Sequence, residues 1–349
     1  MSTIAAVNKL AEYLIGKDPL RIEHHWQHIY RSAFFRGGNV LMSALSGIDQ
    51  ALWDISGKYY QVPTYKLLGG AVRDRICVYA HWGIGSRDEK SLEQAKIRLE
   101  WLQKSGYTAF KSGPSGKWRA HEPPAVVDDF VACANLMREW VGDEIELGFD
   151  FHGKMTPALA IEICHQLQPM RPVFVEEPVP QENVDALKQV SDHVIVPVAT
   201  GERLLSRWEF RKVFETQAAA YIQPDVSHAG GITEVKKIAN MAEIYYVHIM
   251  PHCAIGPIAF SACLQVDAVV PNFLLQEQID TGLGNDKVEN GYIELPTGDG
   301  LGFEVDEKMA KQDNRITQDK MNLLGHGLVP SDEELGGEFY HLDGSVADW

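Results

Sequence analysis

Three short apolar runs in the middle of the chain each end in a carboxylate. EIELGFDFHG delivers Asp150 and, two residues on, His152; RPVFVEEPVP delivers Glu176 and Glu177; VIVPVATGER delivers Glu202. Each run is rich in β-branched residues and closed by acid and then Gly or Pro. It reads as a buried parallel strand with a polar side chain at its C-terminal end. The acids recur about every 26 residues, the length of one strand, one helix and two short loops, so neighbouring strands bring them to one spot. A lone acid before Gly or Pro is usually a cap or turn residue, which does not account for three in register. Like charges this close raise one another's pKa unless a cation sits among them. An oxygen-only ligand set suits Mg²⁺, which keeps water or substrate oxygens in its other positions.

Two histidines stand beside that centre. His152 follows Asp150 by two residues, and on a strand residues i and i+2 point the same way, so both are expected to face the mouth. His252 closes VHIMPH, one strand after AAAYIQPD ends in Asp225. A carboxylate beside an imidazole fixes its tautomer and raises its basicity. The remaining histidines, including His81, His228 and His248, read as ordinary surface or core residues. A hard cation flanked by two histidines suits proton abstraction α to a carboxylate, with the cation neutralising the enediolate. One histidine takes the proton and the other protonates a leaving hydroxide. The net reaction is β-elimination of water.

The elements that must position these groups alternate. From Cys77 come strand CVYAHW, a helix with Leu92, Ala95, Leu99 and Leu102 on one face, and strand TAFKSG ending at Lys111 and Ser112. A Gly/Pro/Ser-rich loop leads to a helix with Val127, Val131, Ala134 and Met137 inward. The three acid-bearing strands follow, with Leu159, Ile163 and Leu167 on the helix after the first. The strands at Asp225 and His252 and the run NFLLQEQ, ending at Glu277, bring the count to eight. Strand–helix alternation without hairpin signals predicts a parallel sheet closed as a (β/α)₈ TIM barrel. An open doubly wound sheet would need a glycine fingerprint after its first strand, which HWGIGS does not supply. Residues 4–57 read as helices, one carrying Leu41, Leu45, Ile48, Leu52 and Ile55. Between helices, Phe34-Phe35-Arg36-Gly37-Gly38 reads equally as a connection or as a lid. After Glu277, GYIELPTGDGLGFEVDE reads as a strand pair with Gly turns. The division is therefore a capping domain over 1–75, a barrel over 76–285, and a C-terminal segment over 286–349 that returns to the cap.

Composition narrows the partners. Forty-eight acidic against 32 basic residues give a net charge of −16, which repels nucleic acid and anionic membrane surfaces. An anionic substrate would need local positive charge, from the metal or from Lys111 or Arg203. No run of apolar residues is long enough for a membrane span, and the N-terminus lacks the pattern of a secretory signal. Cytoplasmic residence is the expectation. Five scattered cysteines, Cys77, Cys133, Cys164, Cys253 and Cys263, without a CxxC pair, read as reduced and mostly buried thiols.

The sequence resembles the enolase superfamily, and within its mandelate racemase-like branch the D-galactonate dehydratase group. The resemblance rests on FFRGG at Phe34, LMSALSGIDQALWDISGK at Leu41, DFHG at Asp150, FVEEP at Phe174, GERLLSRW at Gly201, QPDVSHAGGITE at Gln223, PHCAIGPIAFSACLQVDAV at Pro251 and LQEQ at Leu275. It implies an α+β cap on a TIM barrel, and an Mg²⁺ ion held by Asp150, Glu176 and Glu202. It also implies His152 as general acid, His252 as general base made more basic by Asp225, and Glu277 hydrogen-bonding the enediolate or the substrate carboxylate. The implied activity is a hydro-lyase reaction converting D-galactonate to its 2-keto-3-deoxy product in a homo-oligomer. The alternatives are another hexonate such as gluconate, racemisation, or a weakly catalytic barrel with a binding role. Three departures stand out: the chain opens at the first cap helix, so the cap reads as truncated; the family's Asn after the strand-two Lys is replaced in Lys111-Ser112-Gly113; and the segment after Gln278 is short. A single Lys at strand two also removes the K-x-K base of the superfamily's racemases.

Overall fold

A computed structural model describes residues 2–278 and 287–304. Four helices come first: α1 (Ser2–Leu14), α2 (Ile22–Ser32), α3 (Asn39–Tyr60) and the short α4 (Thr64–Leu67). Trp26 and Ile29 on α2 pack against Met42, Leu45, Ile48 and Leu52 on α3, giving this region its own apolar core. The predicted stripe on α3 holds up to Leu52 but not at Ile55, which is exposed. Towards its C-terminus the buried face passes to Ser56 and Gly57, where a Cβ at Gly57 would lie 2.5 Å from the Cα of Gly300. The Phe34–Gly38 stretch joins α2 to α3, with both phenyl rings exposed and set edge to face.

The alternation then runs β1 (Arg75–His81), α5 (Glu89–Lys104), β2 (Ala109–Ser112), α6 (Pro124–Val141), β3 (Glu146–Asp150), α7 (Pro157–Leu167), β4 (Phe174–Glu176), α8 (Val184–His193), β5 (Val198–Thr200), α9 (Arg207–Thr216), β6 (Tyr221–Ile222), α10 (Gly231–Ile244), β7 (His248–Ile249), α11 (Pro257–Asp267) and β8 (Gln276–Gln278). All eight strands are parallel, in the order β7-β6-β5-β4-β3-β2-β1-β8. Ile249 N donates to Asn272 O (2.9 Å) and Leu274 N to Ile249 O (3.0 Å), joining β7 to the chain that enters β8. The sheet therefore closes on itself. Period-two alternation divides its two faces. Tyr79, Ala109, Phe174, Ala199, Met250 and Leu275 fill the interior, while Val78, Phe110, Phe149, Val175 and Ile222 join the helices in the outer core. On β1, β2, β4 and β8 the next inward residues are polar: His81, Lys111, Glu176 and Glu277.

The segment beyond Glu277 forms one described strand rather than a pair. β9 (Tyr292–Glu294) runs antiparallel along the start of β1, with Ile76 opposite Ile293. Residues 298–301 then reach the cap, where Gly300 N donates to Val62 O (3.0 Å) and Leu301 N to Asp54 Oδ1 (2.9 Å). The predicted remainder of that segment, 305–349, lies outside the described residues. All five cysteines are free thiols, four of them buried.

Cap and barrel are joined by polar groups on α2 and α3. Helix α10 starts at Gly230 (φ +88°) and Gly231 (φ +80°), so it has no capping side chain of its own. Asp49 supplies one from α3: its Oδ2 accepts from Thr233 N (3.0 Å) and its Oδ1 from Thr233 Oγ1 (2.5 Å). A Cβ at Gly231 would meet that carboxylate at 2.4 Å. Ser46 Oγ accepts from Gly230 N (2.8 Å), and Trp26 Nε1 donates to Gly230 O (2.8 Å). Burial pushes the Asp49 carboxyl up to about 7, although the two bonds from Thr233 pull it down. Replacing Asp49 by Ala should cost about 1–3 kcal/mol in urea unfolding, because donors at a buried helix start lose their acceptor. The Asn variant should cost less. With the unfolded carboxyl near 3.9, the folded state holds this proton over a window where the unfolded chain has lost it. The stability Asp49 contributes therefore declines as pH rises from about 4 through about 7, and the Asn variant should show a flatter profile across that window.

Candidate active site

The C-terminal ends of the strands carry the polar residues into one mouth, where the (β/α)₈ architecture places active sites. Asp150 closes β3, Glu176 closes β4, and Glu202 lies two residues past β5. One oxygen from each lies within 4.8 Å of the others. Glu176 is fully buried, and its Oε1 has no hydrogen-bond partner. Burial and the Asp150 charge push its carboxyl well above the usual range, against the pull of Lys111. An orphaned carboxylate oxygen among two further acids fits a hard divalent ion, which would restore full ionisation.

Lys111, at the inward position of β2, projects its ammonium into the same cluster, 3.0 Å from Asp150 Oδ2, 3.1 Å from Glu176 Oε2 and 2.8 Å from Glu277 Oε1. Burial works against its charge, but the three carboxylates outweigh that and hold it protonated. Its part here is electrostatic, so the positive charge expected of it is present deeper than a surface lysine would sit. Arg203 pairs with Glu177, whose carboxyl is raised to about 8 by burial and by Glu202. At the end of β2 the chain passes so near β3 that a Cβ at Gly113 would lie 2.1 Å from Asp150 O.

His152 reaches Asp150 by a different route from the one its spacing predicts. Strand β3 ends at Asp150, and His152 takes a left-handed backbone (φ +49°) with its N–H donating to Asp150 Oδ1 (3.0 Å). The turn folds the half-exposed imidazole back, so that Nε2 lies 2.9 Å from Asp150 Oδ2. Such a conformation costs a non-glycine residue on the order of 1 kcal/mol or more and is found disproportionately at functional sites.

His252 lies three residues past β7. Its Nδ1 is 2.7 Å from Asp225 Oδ2, while Nε2 faces Glu202 Oε2 (3.1 Å) and Glu277 Oε2 (3.6 Å). Burial disfavours its charge, but Glu277, the Asp225 hydrogen bond and Glu202 together raise its pKa well above the ordinary value. Glu277, on β8, accepts from Cys253 N (2.8 Å) through Oε2 and meets Lys111 and His81 Nε2 (2.6 Å) through Oε1. Lys111, His252 and His81 keep it ionised despite burial. His81 therefore belongs to the mouth, contrary to its reading as an ordinary histidine. The available signal was its place at the end of CVYAHW, the same position at which the other strands deliver theirs.

A closed parallel barrel with three carboxylates at adjacent strand ends and a histidine on either side has the architecture of the enolase-type enzymes, and its acids could hold a metal ion. The chain belongs to the mandelate racemase / muconate lactonizing enzyme family: residues 2–69 match that family's N-terminal domain, and residues 93–309 match the enolase C-terminal domain-like family. It is 42% identical over 359 aligned residues to the D-galactonate dehydratase of Ralstonia nicotianae, an alignment covering 99% of this chain and 89% of the relative. The D-galactonate dehydratase of Variovorax paradoxus is similar to the same extent. Among solved structures, the mandelate racemase/muconate lactonizing enzyme-like protein of Roseovarius sp. TM1035 superposes with a TM-score of 0.82 at 36% identity, over 89% of this chain and 83% of that one. The like protein from Rubrobacter xylanophilus gives 0.83 at 32%, over 89% and 87%. No described helix is long and apolar enough to cross a membrane.

Binding of Mg²⁺ to the folded state should raise the unfolding midpoint, by about 2.7 kcal/mol of stability at a hundredfold excess over the dissociation constant. Glu202→Gln should abolish the shift in a thermal melt. A wild-type midpoint indifferent to Mg²⁺ would remove the metal assignment.

Proposed function

We propose that this chain is an Mg²⁺-dependent sugar-acid dehydratase with D-galactonate as its substrate, releasing water and a 2-keto-3-deoxy product. The observation that carries the reading is the Asp225–His252 pair facing His152 across the mouth. Their strands, β7 and β3, are four apart in either direction around eight, so a substrate over the carboxylates meets a proton acceptor on one side and a donor on the other. The names of the relatives supply the substrate.

Asp150, Glu176 and Glu202 would hold the ion, which when bound neutralises charge on the substrate's carboxylate as the α-proton leaves. Asp225 engages His252 Nδ1, so Nε2 is the nitrogen left to exchange a proton with the substrate. Nε2 takes the α-proton, the C–H electron pair becomes the carbon–carbon double bond, and the β carbon–oxygen bond breaks. His152 gives its proton to the departing hydroxide, and the enol product ketonises. A base must lie within hydrogen-bond reach of its proton, and His252 Nε2, 17% of whose side chain is exposed, opens onto that space. Glu277, held ionised by Lys111 and His81, can accept a hydrogen bond from a substrate or enediol hydroxyl but cannot donate one. Lys111 is engaged by three carboxylates, which suits charge balance rather than a base.

His252→Asn should lower turnover of D-galactonate by about 10²-fold or more while keeping the thermal shift with Mg²⁺; a fully active variant would remove the base assignment. Across a panel of hexonates and pentonates, 2-keto-3-deoxy product is expected from D-galactonate in preference to D-gluconate. Equal turnover of the two epimers, or racemised substrate without elimination, would overturn the substrate or the reaction.

A further inference from the structure

The loop that carries the partner of His252 is held by the cap. Gln50, buried on α3, points its side-chain amide at the turn just after Asp225: Nε2 donates to Val226 O (3.2 Å) and to Ser227 Oγ (3.3 Å). Ser227 N in turn donates to Asp225 Oδ1 (2.6 Å), and Asp225 Oδ2 accepts from His252 Nδ1 (2.7 Å). With Oδ1 fixed by the turn, the carboxylate plane is set, and with it the direction in which Oδ2 meets the imidazole. The turn is short and tied twice more, by His228 N (3.0 Å) and Ala229 N (2.7 Å) to Asp225 O. It can therefore shift only as a unit. On its far side Ser43 Oγ contacts His228 Nδ1 (2.7 Å), so α3 grips both ends of it.

We infer that Gln50 is a positioning residue for the reaction, setting the orientation of the His252 imidazole through Ser227 and Asp225 from outside the barrel. The inference rests on the proposed role of His252. The described bonds of Gln50 go to the turn and not to the acids or histidines of the mouth. Its effect is geometric, and misplacement by about 1 Å of a reacting group costs on the order of 10²-fold in rate. The cap would thus contribute to the chemical step as well as to the shape of the molecule.

The test uses the full chain with Mg²⁺ and Gln50→Met, which keeps the volume of the side chain but donates no hydrogen bond. With D-galactonate, kcat should fall about 10- to 100-fold, KM should stay within about twofold, and the unfolding midpoint should be little changed. The low-field proton resonance of His252 Nδ1–H, assigned by its disappearance in His252→Asn, should move upfield or broaden. Unaltered kcat together with an unmoved resonance would overturn the inference. So would a fall in kcat matched by a large drop in the unfolding midpoint with the resonance unmoved, which would mark a role in folding alone. The resonance is read without substrate, so failure of wild-type turnover would count against the dehydratase reading and leave the Gln50 result to stand or fall by itself. Should Gln50→Met not fold, Ser227→Ala removes the acceptor in the middle of the relay and should move the same resonance in the same direction; no movement there would overturn the inference.

Discussion

Negative charge packed beyond what water can relieve is the condition on which the rest of this structure depends. Asp150, Glu176 and Glu277 are almost wholly buried and Glu202 nearly so, with Glu177 directly behind them. Lys111 alone cannot balance that set, since an uncompensated buried charge costs several kcal/mol. The acids at successive strand ends lie close enough together that one multivalent cation could meet three of them at once. The apolar interior below, from Tyr79 to Leu275, supplies the low dielectric that makes both the repulsion and its relief large.

The same low dielectric sorts the mouth into distinct chemical roles. His252 is tied at Nδ1 to Asp225 and turns Nε2 towards Glu202 and Glu277, while His152 stays half exposed on a left-handed turn. Glu277 lies between them with both oxygens engaged. Environment, more than residue type, is what separates the charge states of these carboxylates and imidazoles.

Much of this was legible in the sequence because it depends on local rules. Eight strands could be counted because parallel strands buried on both faces are continuous apolar runs, and helices α5, α6 and α7 bury the residues their periodicity picks out, apart from the half-buried Leu92. Asp150, Glu176, Glu202, Asp225, His252 and Glu277 were visible as strand-end residues. What was not legible depends on depth or distance. Lys111 and a surface lysine are written alike, and only its level in the barrel brings it among the acids. His81 was passed over because histidine type carries little information without its neighbour on β8. The left-handed turn at His152 reaches the expected place by a path that alternation does not describe. Ile55 continues a helical stripe whose partner has changed to residues 298–301, which no local pattern reports. The bonds from α3 to the turn after Asp225 span 176 to 185 residues of sequence and leave no local trace.

That separation also bears on how the molecule is made. Asp49 and its partner Thr233 are 184 residues apart, so α3 leaves the ribosome long before the helix it caps exists. Until then its carboxylate is hydrated and the apolar faces of α2 and α3 have each other but no barrel beneath them. Long-range contacts of this kind are formed late and slow the search, and an early domain waiting for its partner is exposed to association with other chains. Gly230 and Gly231, which let α10 begin without a capping side chain, thereby make completion of that helix report on its docking against the cap.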